Sequence, residues 1–311
     1  MKIVTVLGAR PQFIKSALVS QAFQANPTIK EVAIHTGQHF DQAMSEAFFK
    51  ELAIPLPNFN LNINQMNHGE MTGRMLIEIE RILIAERPNG MLVYGDTNST
   101  LAGSLAASKL NIPVFHVEAG LRSHNRTMPE EINRIITDHL SSLLFCPTRN
   151  AVNVLKSEGM VKGVHLTGDV MYDLFLKNQR QLKNIDNPFV LATIHRPANT
   201  DTQDILRSII KGLEKINQEV RVIFPIHPRT IKKLSKFGID TTLSHLPPFG
   251  HKDMIAHLSS AELVITDSGG VQKEAFFAKT KCITVRTETE WAELIDAGVN
   301  CLSSPSEIYD N

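Results

Sequence analysis

Short apolar runs alternate along this chain with longer stretches of helical periodicity. Residues 2–7, 31–35, 91–94, 113–117 and 143–146 are apolar runs of strand length. Between them, residues 11–23, 42–52, 68–86, 97–109 and 129–140 recur at helical spacing, with Ile77 and Ile84 expected on the apolar side of the third. The fourth is rich in small residues and is expected to pack closely on a sheet. Pro129 opens the fifth, where proline suits a first helical turn. The alternation restarts after a polar segment at 176–187. Strands are then expected at 189–194, 220–224, near 241–243, 262–266 and 281–285, with helices at 202–216, 229–237, 251–259 and 270–278. Ile205, Ile209, Ile210 and Leu213 share one face of the first of these helices. Buried strands separated by helices predict parallel sheets with crossover helices, an α/β fold. The polar segment divides it into two Rossmann-like doubly wound domains, residues 1–180 and 181–311, expected to face one another across a cleft. No solenoid-period repeat or low-complexity tract interrupts the pattern.

Composition narrows the partners. The 311 residues include 32 basic and 32 acidic side chains, a formal net charge of zero. That balance gives no general attraction to nucleic acid or to an anionic membrane, so neither is an expected partner and any polyanionic ligand must be held by local cations. No apolar stretch approaches the ~18 residues of a membrane span. The opening run at 2–7 is too short for a secretory signal and reads as a first strand. Cys146, Cys282 and Cys301 are odd in number, widely spaced and without a C-x-x-C pair, as expected of reduced thiols in a cytoplasmic protein. His35, His39, His116, His124 and His139 have no metal-like spacing, and no G-x-G-x-x-G is present. Neither a metal nor a dinucleotide cofactor is expected.

In open parallel sheets, ligands bind beyond the carboxyl ends of the strands, so the polar residues there form one set. Strand 262–266 runs into Asp267-Ser268-Gly269-Gly270-Val271-Gln272-Lys273-Glu274. A Ser-Gly-Gly turn opening a helix can present backbone N–H groups and a positive helix end to a phosphate. Glu274, within two turns, could accept from a ribose diol. Taken alone, the segment equally fits an ordinary strand-to-helix turn. After the first strand come Gly8-Ala9-Arg10-Pro11 and, on the following helix, Lys15. This is not a Walker A loop; Arg10 and Lys15 either neutralise a diphosphate or sit on a solvated helix terminus. Asp96, after strand 91–94, either caps the next helix or serves the chemistry. Glu118 directly follows a buried run and must be paired or functional. Glu130 and Glu131 open a helix, where carboxylates suit the dipole, yet one could face the cleft. His195 and His227 end strands at equivalent places in the second half. Carboxylates, a histidine, cations and a phosphate-type turn together suit acid–base chemistry on a substrate with a phosphate leaving group.

The ordered set Gly8-Ala9-Arg10-Pro11, Gly37-Gln38-His39, Gly95-Asp96-Thr97, His116-Val117-Glu118-Ala119-Gly120-Leu121-Arg122, Pro129-Glu130-Glu131-Ile132-Asn133-Arg134 and Thr266-Asp267-Ser268-Gly269-Gly270 resembles the bacterial, non-hydrolysing UDP-N-acetylglucosamine 2-epimerases from residue 1 to about 300. The resemblance implies a two-domain glycosyltransferase-B type fold, nucleotide held mainly by the second domain, a UDP-sugar substrate, no cofactor and a homodimer. It implies elimination of UDP to a 2-acetamidoglucal and re-addition with the C2 proton on the other face. Position by position, Asp96, Glu118 and Glu130 match the catalytic carboxylates and His195 the catalytic histidine, with Glu131 in reserve for Glu130. Arg10 and Lys15 match cations near the diphosphate. His227, Ser268, Gly269, Gly270 and Glu274 match the nucleotide site, and Arg286 an arginine after the last strand.

Some residues depart from the family pattern. Thr289-Glu290-Trp291-Ala292-Glu293 is more similar to the branch acting on modified sugars such as UDP-2,3-diacetamido-2,3-dideoxyglucuronate. Arg286-Thr287-Glu288 replaces the usual Arg-Asp-Thr, and Phe40-Asp41 differs from the loop that binds an activating second UDP-N-acetylglucosamine. The sequence given stops at Asn311, before the terminal helices that the resemblance implies, one of which crosses back to the first domain. The neighbouring readings are a hydrolysing 2-epimerase releasing N-acetylmannosamine and UDP, a glycosyltransferase of the same fold, and a UDP-sugar-binding module without turnover.

Overall fold

The computed structural model describes residues 1–38, 52, 54–179, 185 and 188–310. The helix expected at 42–52 lies outside them apart from Leu52, as do His39, Phe40 and Asp41. The chain divides into two compact units, Met1–Leu174 and Phe175–Asn311, rather than at residue 180.

The first unit is built on β1 (Lys2–Leu7), β2 (Lys30–His35), β3 (Phe59–Asn60), β4 (Gly90–Tyr94), β5 (Val114–Val117), β6 (Leu143–Cys146) and β7 (Val164–Leu166). These form one seven-stranded sheet in the order β3-β2-β1-β4-β5-β6-β7, with every neighbouring pair parallel. Ile3, Val4, Val6 and Leu7 of β1 are all buried, as a central strand covered by helices on both faces requires. The helices are α1 (Arg10–Gln24), α2 (His68–Glu86), α3 (Asn98–Lys109), α4 (Pro129–Leu140) and α5 (Arg149–Ser157), and α6 (Val170–Gln179) carries the chain across the division into the second unit. The small residues of α3 allow close approach: a side chain at Gly103 would meet Met91, Val6 and Val93 within 3.4 Å.

The expected apolar face of α2 is corrected. Met71, Met75, Ile79 and Leu83 are its buried row, packed with Val4, Val6, Met91 and Ala102. Ile77 and Ile84 are 48% and 57% exposed. A row spaced by four forms one ridge, and a residue two positions away lies about 200° round the helix, so Ile77 faces outward.

The second unit repeats the plan with β8 (Val190–Thr193), β9 (Val222–Pro225), β10 (His245–Leu246), β11 (Leu263–Thr266), β12 (Lys281–Thr284) and β13 (Asn300–Leu302) in the order β10-β9-β8-β11-β12-β13. Its helices are α7 (Pro197–Thr200), α8 (Gln203–Asn217), α9 (Pro228–Phe237), α10 (His251–Ser260), α11 (Gly269–Ala278) and α12 (Ala292–Asp296). Alternating strand residues build a core on each face. Val190 and Ala192 join Leu206, Ile209 and Leu213 of α8, whereas Leu191 joins Met254 and Leu258 of α10. The strand expected near 241–243 lies instead at His245–Leu246. Thr241 and Thr242 are held in a loop by the Glu214 carboxylate, which accepts from both hydroxyls and from Thr242 N. The elements not anticipated are β3, β7, α5, α6, α7, α12 and β13; most are short, and only longer segments display a readable period, whereas α6 runs into the polar stretch read as a linker.

Truncation separates the two faces of α2. Ile79→Ala is expected to lower unfolding free energy by about 2–5 kcal/mol, and Ile77→Ala by no more than about 0.5 kcal/mol. Denaturant titration of both variants checks this; equal losses would contradict the assigned face.

Candidate functional site

In each unit the strand order reverses between two neighbouring strands, β1 and β4 in the first, β8 and β11 in the second. Loops leaving such a pair run in opposite directions and open a crevice at the carboxyl ends. Several of the residues singled out from the sequence follow these strands, Arg10 after β1, Asp96 after β4, His195 after β8 and Ser268 after β11.

In the first unit, Gly95 follows β4 at φ +60°, and a side chain on it would sit 3.3 Å from both Lys15 Nζ and Glu118 Oε2. Asp96 does not cap α3. Thr97 does so, its hydroxyl accepting from Thr100 N at 3.3 Å. The Asp96 carboxylate, 28% exposed, instead pairs with Arg134 of α4. Asn133 of the same helix donates to Asp96 O at 2.9 Å, so α4 holds the Asp96 turn from two points. Glu118 adopts φ +72°, a left-handed conformation that a side-chain-bearing residue keeps only when its surroundings impose it. Here Glu118 N and Ala119 N both donate to Phe145 O at 3.1 Å. The Glu118 carboxylate forms an ion pair with Lys15, both side chains being nearly buried. Burial pulls the Lys15 ammonium toward deprotonation, but Glu118 and then Asp96 outweigh it, and its pKa is raised. Lys15, expected beside a diphosphate, is therefore committed first to Glu118. Arg10 opens α1 and is half-buried.

Glu130 and Glu131 separate cleanly. Glu130 is half-buried at the start of α4. Glu131 is 1% exposed and accepts from Ser123 N, Ser123 Oγ, His124 N and Arg134 Nη1 at 2.9–3.0 Å. Its lone pairs are spent on the loop at 123–124 and on Arg134, whereas Glu130, for which it stood in reserve, keeps partial exposure.

Behind this cluster lies a buried network that the sequence reading did not nominate. His116 Nδ1 is 2.7 Å from Asp138 Oδ1, and its Nε2 is 2.8 Å from Gly95 O. Arg122 donates to Asp138 Oδ2 at 2.7 Å and to Glu158 at 2.7 and 2.8 Å. Burial would raise the Asp138 pKa, but His116 and then Arg122 outweigh it and the net shift is downward. The network fixes the carbonyl of Gly95 and so the turn that carries Asp96. Its only sequence signal was charged or polar residues inside otherwise apolar strand-and-helix patterns.

In the second unit, Ser268 caps α11, its hydroxyl accepting from Val271 N at 3.4 Å. A side chain at Gly269 would collide with the Glu290 carboxylate, which is itself 3.0 Å from Arg286 Nη1. Glycine there lets the Glu290 carboxylate, held by Arg286, lie close against the turn. Gly270 follows in the first turn of α11, whose leading N–H groups have no partner within the helix. Glu274 is 5% exposed on α11, 3.8 Å from His251 Nδ1. His227 caps α9, Nδ1 accepting from Arg229 N at 3.1 Å, and its ring lies 5.3 Å from that of His195. His195 Nδ1 is 3.2 Å from Asp267 Oδ1. Asp267, like Glu118, is a carboxylate directly after a buried strand, so the same need for a partner or a function applies to it. Trp291 is buried, with Lys273 Nζ 3.9 Å from its ring centroid. Among the described residues no group of three His, Cys, Asp or Glu is placed to hold a metal ion, and no helix is long and apolar enough to cross a membrane.

Two doubly wound units, each with charged groups at its switch point, define a nucleotide-sugar type of α/β protein. The particular family follows from comparison. A family description, UDP-N-acetylglucosamine 2-epimerase, matches residues 21–311. The chain is 51% identical to the UDP-2,3-diacetamido-2,3-dideoxy-D-glucuronate 2-epimerase of Pseudomonas aeruginosa, over 97% of this chain and 88% of that protein. It is 42% identical to a UDP-N-acetylglucosamine 2-epimerase of Methanococcus maripaludis, covering 99% and 90% respectively. Among solved structures, the Methanocaldococcus jannaschii UDP-GlcNAc 2-epimerase in complex with UDP-GlcNAc and UDP superposes with a TM-score of 0.93 at 41% identity, covering 99% of this chain and 90% of that one. Phytolacca americana UGT2, at 13% identity and a TM-score of 0.63, shares the fold alone. The chain belongs to the UDP-N-acetylglucosamine 2-epimerase family and has the glycosyltransferase-B type fold.

The buried network makes stability sensitive to acid. Because the Asp138 pKa is lowered on folding, its contribution is complete above the ordinary carboxylate value of about 3.9 and is lost as pH falls through the depressed folded value. Asp138→Asn removes the anion between His116 and Arg122, leaving Arg122 with the partly exposed Glu158 alone, and is expected to cost about 3–5 kcal/mol near neutral pH. The deficit should narrow in acid. A pH series of denaturant midpoints for both proteins measures it, and a deficit independent of pH down to acid unfolding would contradict the assignment.

Proposed function

We propose that this protein epimerises C2 of a UDP-2-acetamido sugar by eliminating UDP to a 2-acetamidoglucal and re-adding it. The observation that carries this reading is the arrangement at the first unit's switch point, where Asp96 and Glu118 share the field of one buried ammonium, Lys15. A C2 proton is a very weak acid, so its removal must be coupled to departure of the diphosphate, with acid–base groups on both faces of the ring. Asp96, Glu118 and Glu130 are the candidate carboxylates, and His195 is the candidate histidine. Arg134 and Lys15 hold two of the carboxylates in place. Ser268, Gly269 and Gly270 would receive phosphate at the start of α11, with Arg286 as a countercharge, and Arg10 is the candidate diphosphate cation of the first unit. Glu274 would accept from the ribose, with His227 beside the nucleotide.

The likeness to the Pseudomonas aeruginosa protein supports a 2,3-diacetamido uronate as substrate, and the resemblance of Thr289-Glu290-Trp291-Ala292-Glu293 to the branch acting on modified sugars points the same way. A cytoplasmic homodimer acting on a UDP-sugar, without nucleic acid or membrane, completes the proposal.

NMR of UDP-N-acetylglucosamine and of UDP-2,3-diacetamido-2,3-dideoxyglucuronate, each incubated with the protein in D2O, tests it. Deuterium at C2 with the epimeric UDP-sugar is the expected result for at least one. Free sugar plus UDP would assign the hydrolysing reaction instead, and no exchange with either would overturn the proposal. Asp96→Asn and His195→Ala are expected to reduce turnover with UDP binding largely kept. Glu274→Ala should weaken UDP binding by about 1.5–3 kcal/mol through loss of charge-assisted hydrogen bonds. Calorimetric titration with UDP separates the two effects, and equal loss of UDP binding in all three would overturn the roles.

A further inference from the structure

The second unit holds a histidine ring beside a buried carboxylate at the ends of two neighbouring strands. Asp267 Oδ1 lies 3.2 Å from His195 Nδ1, the aspartate side chain buried and the histidine side chain 38% exposed. The strand register creates this pair. Thr193 of β8 and Thr266 of β11 are level, and Asp267 N donates to Thr193 O at 3.2 Å. The residue just past one strand therefore meets the residue two past the other, 72 positions away in sequence.

The remaining contacts on that carboxylate are all donors. His195 N donates to it at 3.0 and 3.1 Å, Arg196 N at 2.9 Å and Asn199 Nδ2 at 3.1 Å. Asn199 also donates to Val285 O at 2.9 Å, so the carboxylate is held from several sides. Burial would raise the Asp267 pKa, but the His195 ring, the Arg196 amide and Asn199 outweigh it, and it is lowered. An ionised carboxylate only accepts hydrogen bonds; the ring nitrogen facing it must donate.

We propose that Asp267 is the positioning residue for His195: it holds the Nδ1–H tautomer and leaves Nε2 as the nitrogen that exchanges a proton with substrate. When Nε2 takes up a proton, the imidazolium forms beside a carboxylate already in place, and Asp267 itself stays ionised. The sequence alone places His195 at a strand end; it does not supply the partner that selects its reactive nitrogen. The inference rests on His195 being a catalytic group of the proposed epimerase.

The test uses the whole protein carrying ring-15N histidine. Two-bond 1H–15N correlations, recorded where the ring is neutral, distinguish the tautomers, and the His195 signals are those lost in His195→Gln. The expected wild-type pattern has hydrogen on Nδ1. In Asp267→Asn the amide turns its oxygen to the backbone N–H groups and its NH2 to Nδ1, so the hydrogen is expected to move to Nε2. Turnover should fall about 10²–10⁴-fold, with UDP affinity largely kept. Hydrogen on Nε2 in the wild type would overturn the proposal. So would wild-type turnover in Asp267→Asn, or a loss of turnover with the tautomer unchanged. Should Asp267→Asn not fold, the wild-type spectrum alone decides. The tautomer is read without turnover, so failure of this inference is separate from failure of the epimerase reading, which appears as absent C2 exchange by the wild type.

Discussion

A charge taken out of water persists only if a partner replaces the water. That constraint organises both units of this protein. Lys15, Asp138, Glu131 and Asp267 are each buried, and each is met by opposite charge or by several directed hydrogen bonds. The parallel sheet makes this arrangement available. Strands that end level at a reversal of strand order bring residues distant in sequence within hydrogen-bond reach, while the flanking helices exclude solvent. The same pairing that keeps the charges tolerable also fixes their positions, and fixed charge is what acid–base chemistry on a weakly acidic carbon needs.

The two units share one topology and place different groups at its switch point. In the first, the turn after β4 is braced from α4 by Asn133 and Arg134 and from below by His116. The result is a pair of carboxylates around an ammonium. In the second, the turn after β11 is a helix cap with glycine where Glu290 approaches, and the neighbouring strand end carries a histidine. Each switch point therefore carries both anionic and cationic or hydrogen-donating groups, arranged by its own set of flanking helices.

Within the first unit, adjacent identical residues take different duties. Glu130 and Glu131 are indistinguishable by type and helix position from sequence, yet one is half-buried and the other is spent on a loop and an arginine. Asp96 and Thr97 divide the roles that sequence could assign to either, with the threonine capping the helix and the aspartate left for Arg134. In each pair, rotation of the helix or turn by one residue decides which side chain meets the interior.

The sequence by itself determined the class of fold, the boundaries of the longer elements and the place of most candidate residues at strand ends. These follow from periodicity and from the rule that a turn after a buried strand carries exposed polar groups, both local properties of the chain. The helices at His68–Glu86 and Pro129–Leu140 were legible to the residue because proline and long apolar repeats mark them. Which face of the first of these is buried was not legible, since Met71, Met75, Ile79 and Leu83 compete with Ile77 and Ile84 until a partner surface is present. The partners of the charged groups were likewise hidden. Lys15 with Glu118, Arg134 with Asp96 and Asp267 with His195 are each set by strand order and register. Only the tertiary structure decided them, because the interaction energy of two charges depends on their distance and on the solvent between them, and neither is written in the spacing of residues along a chain.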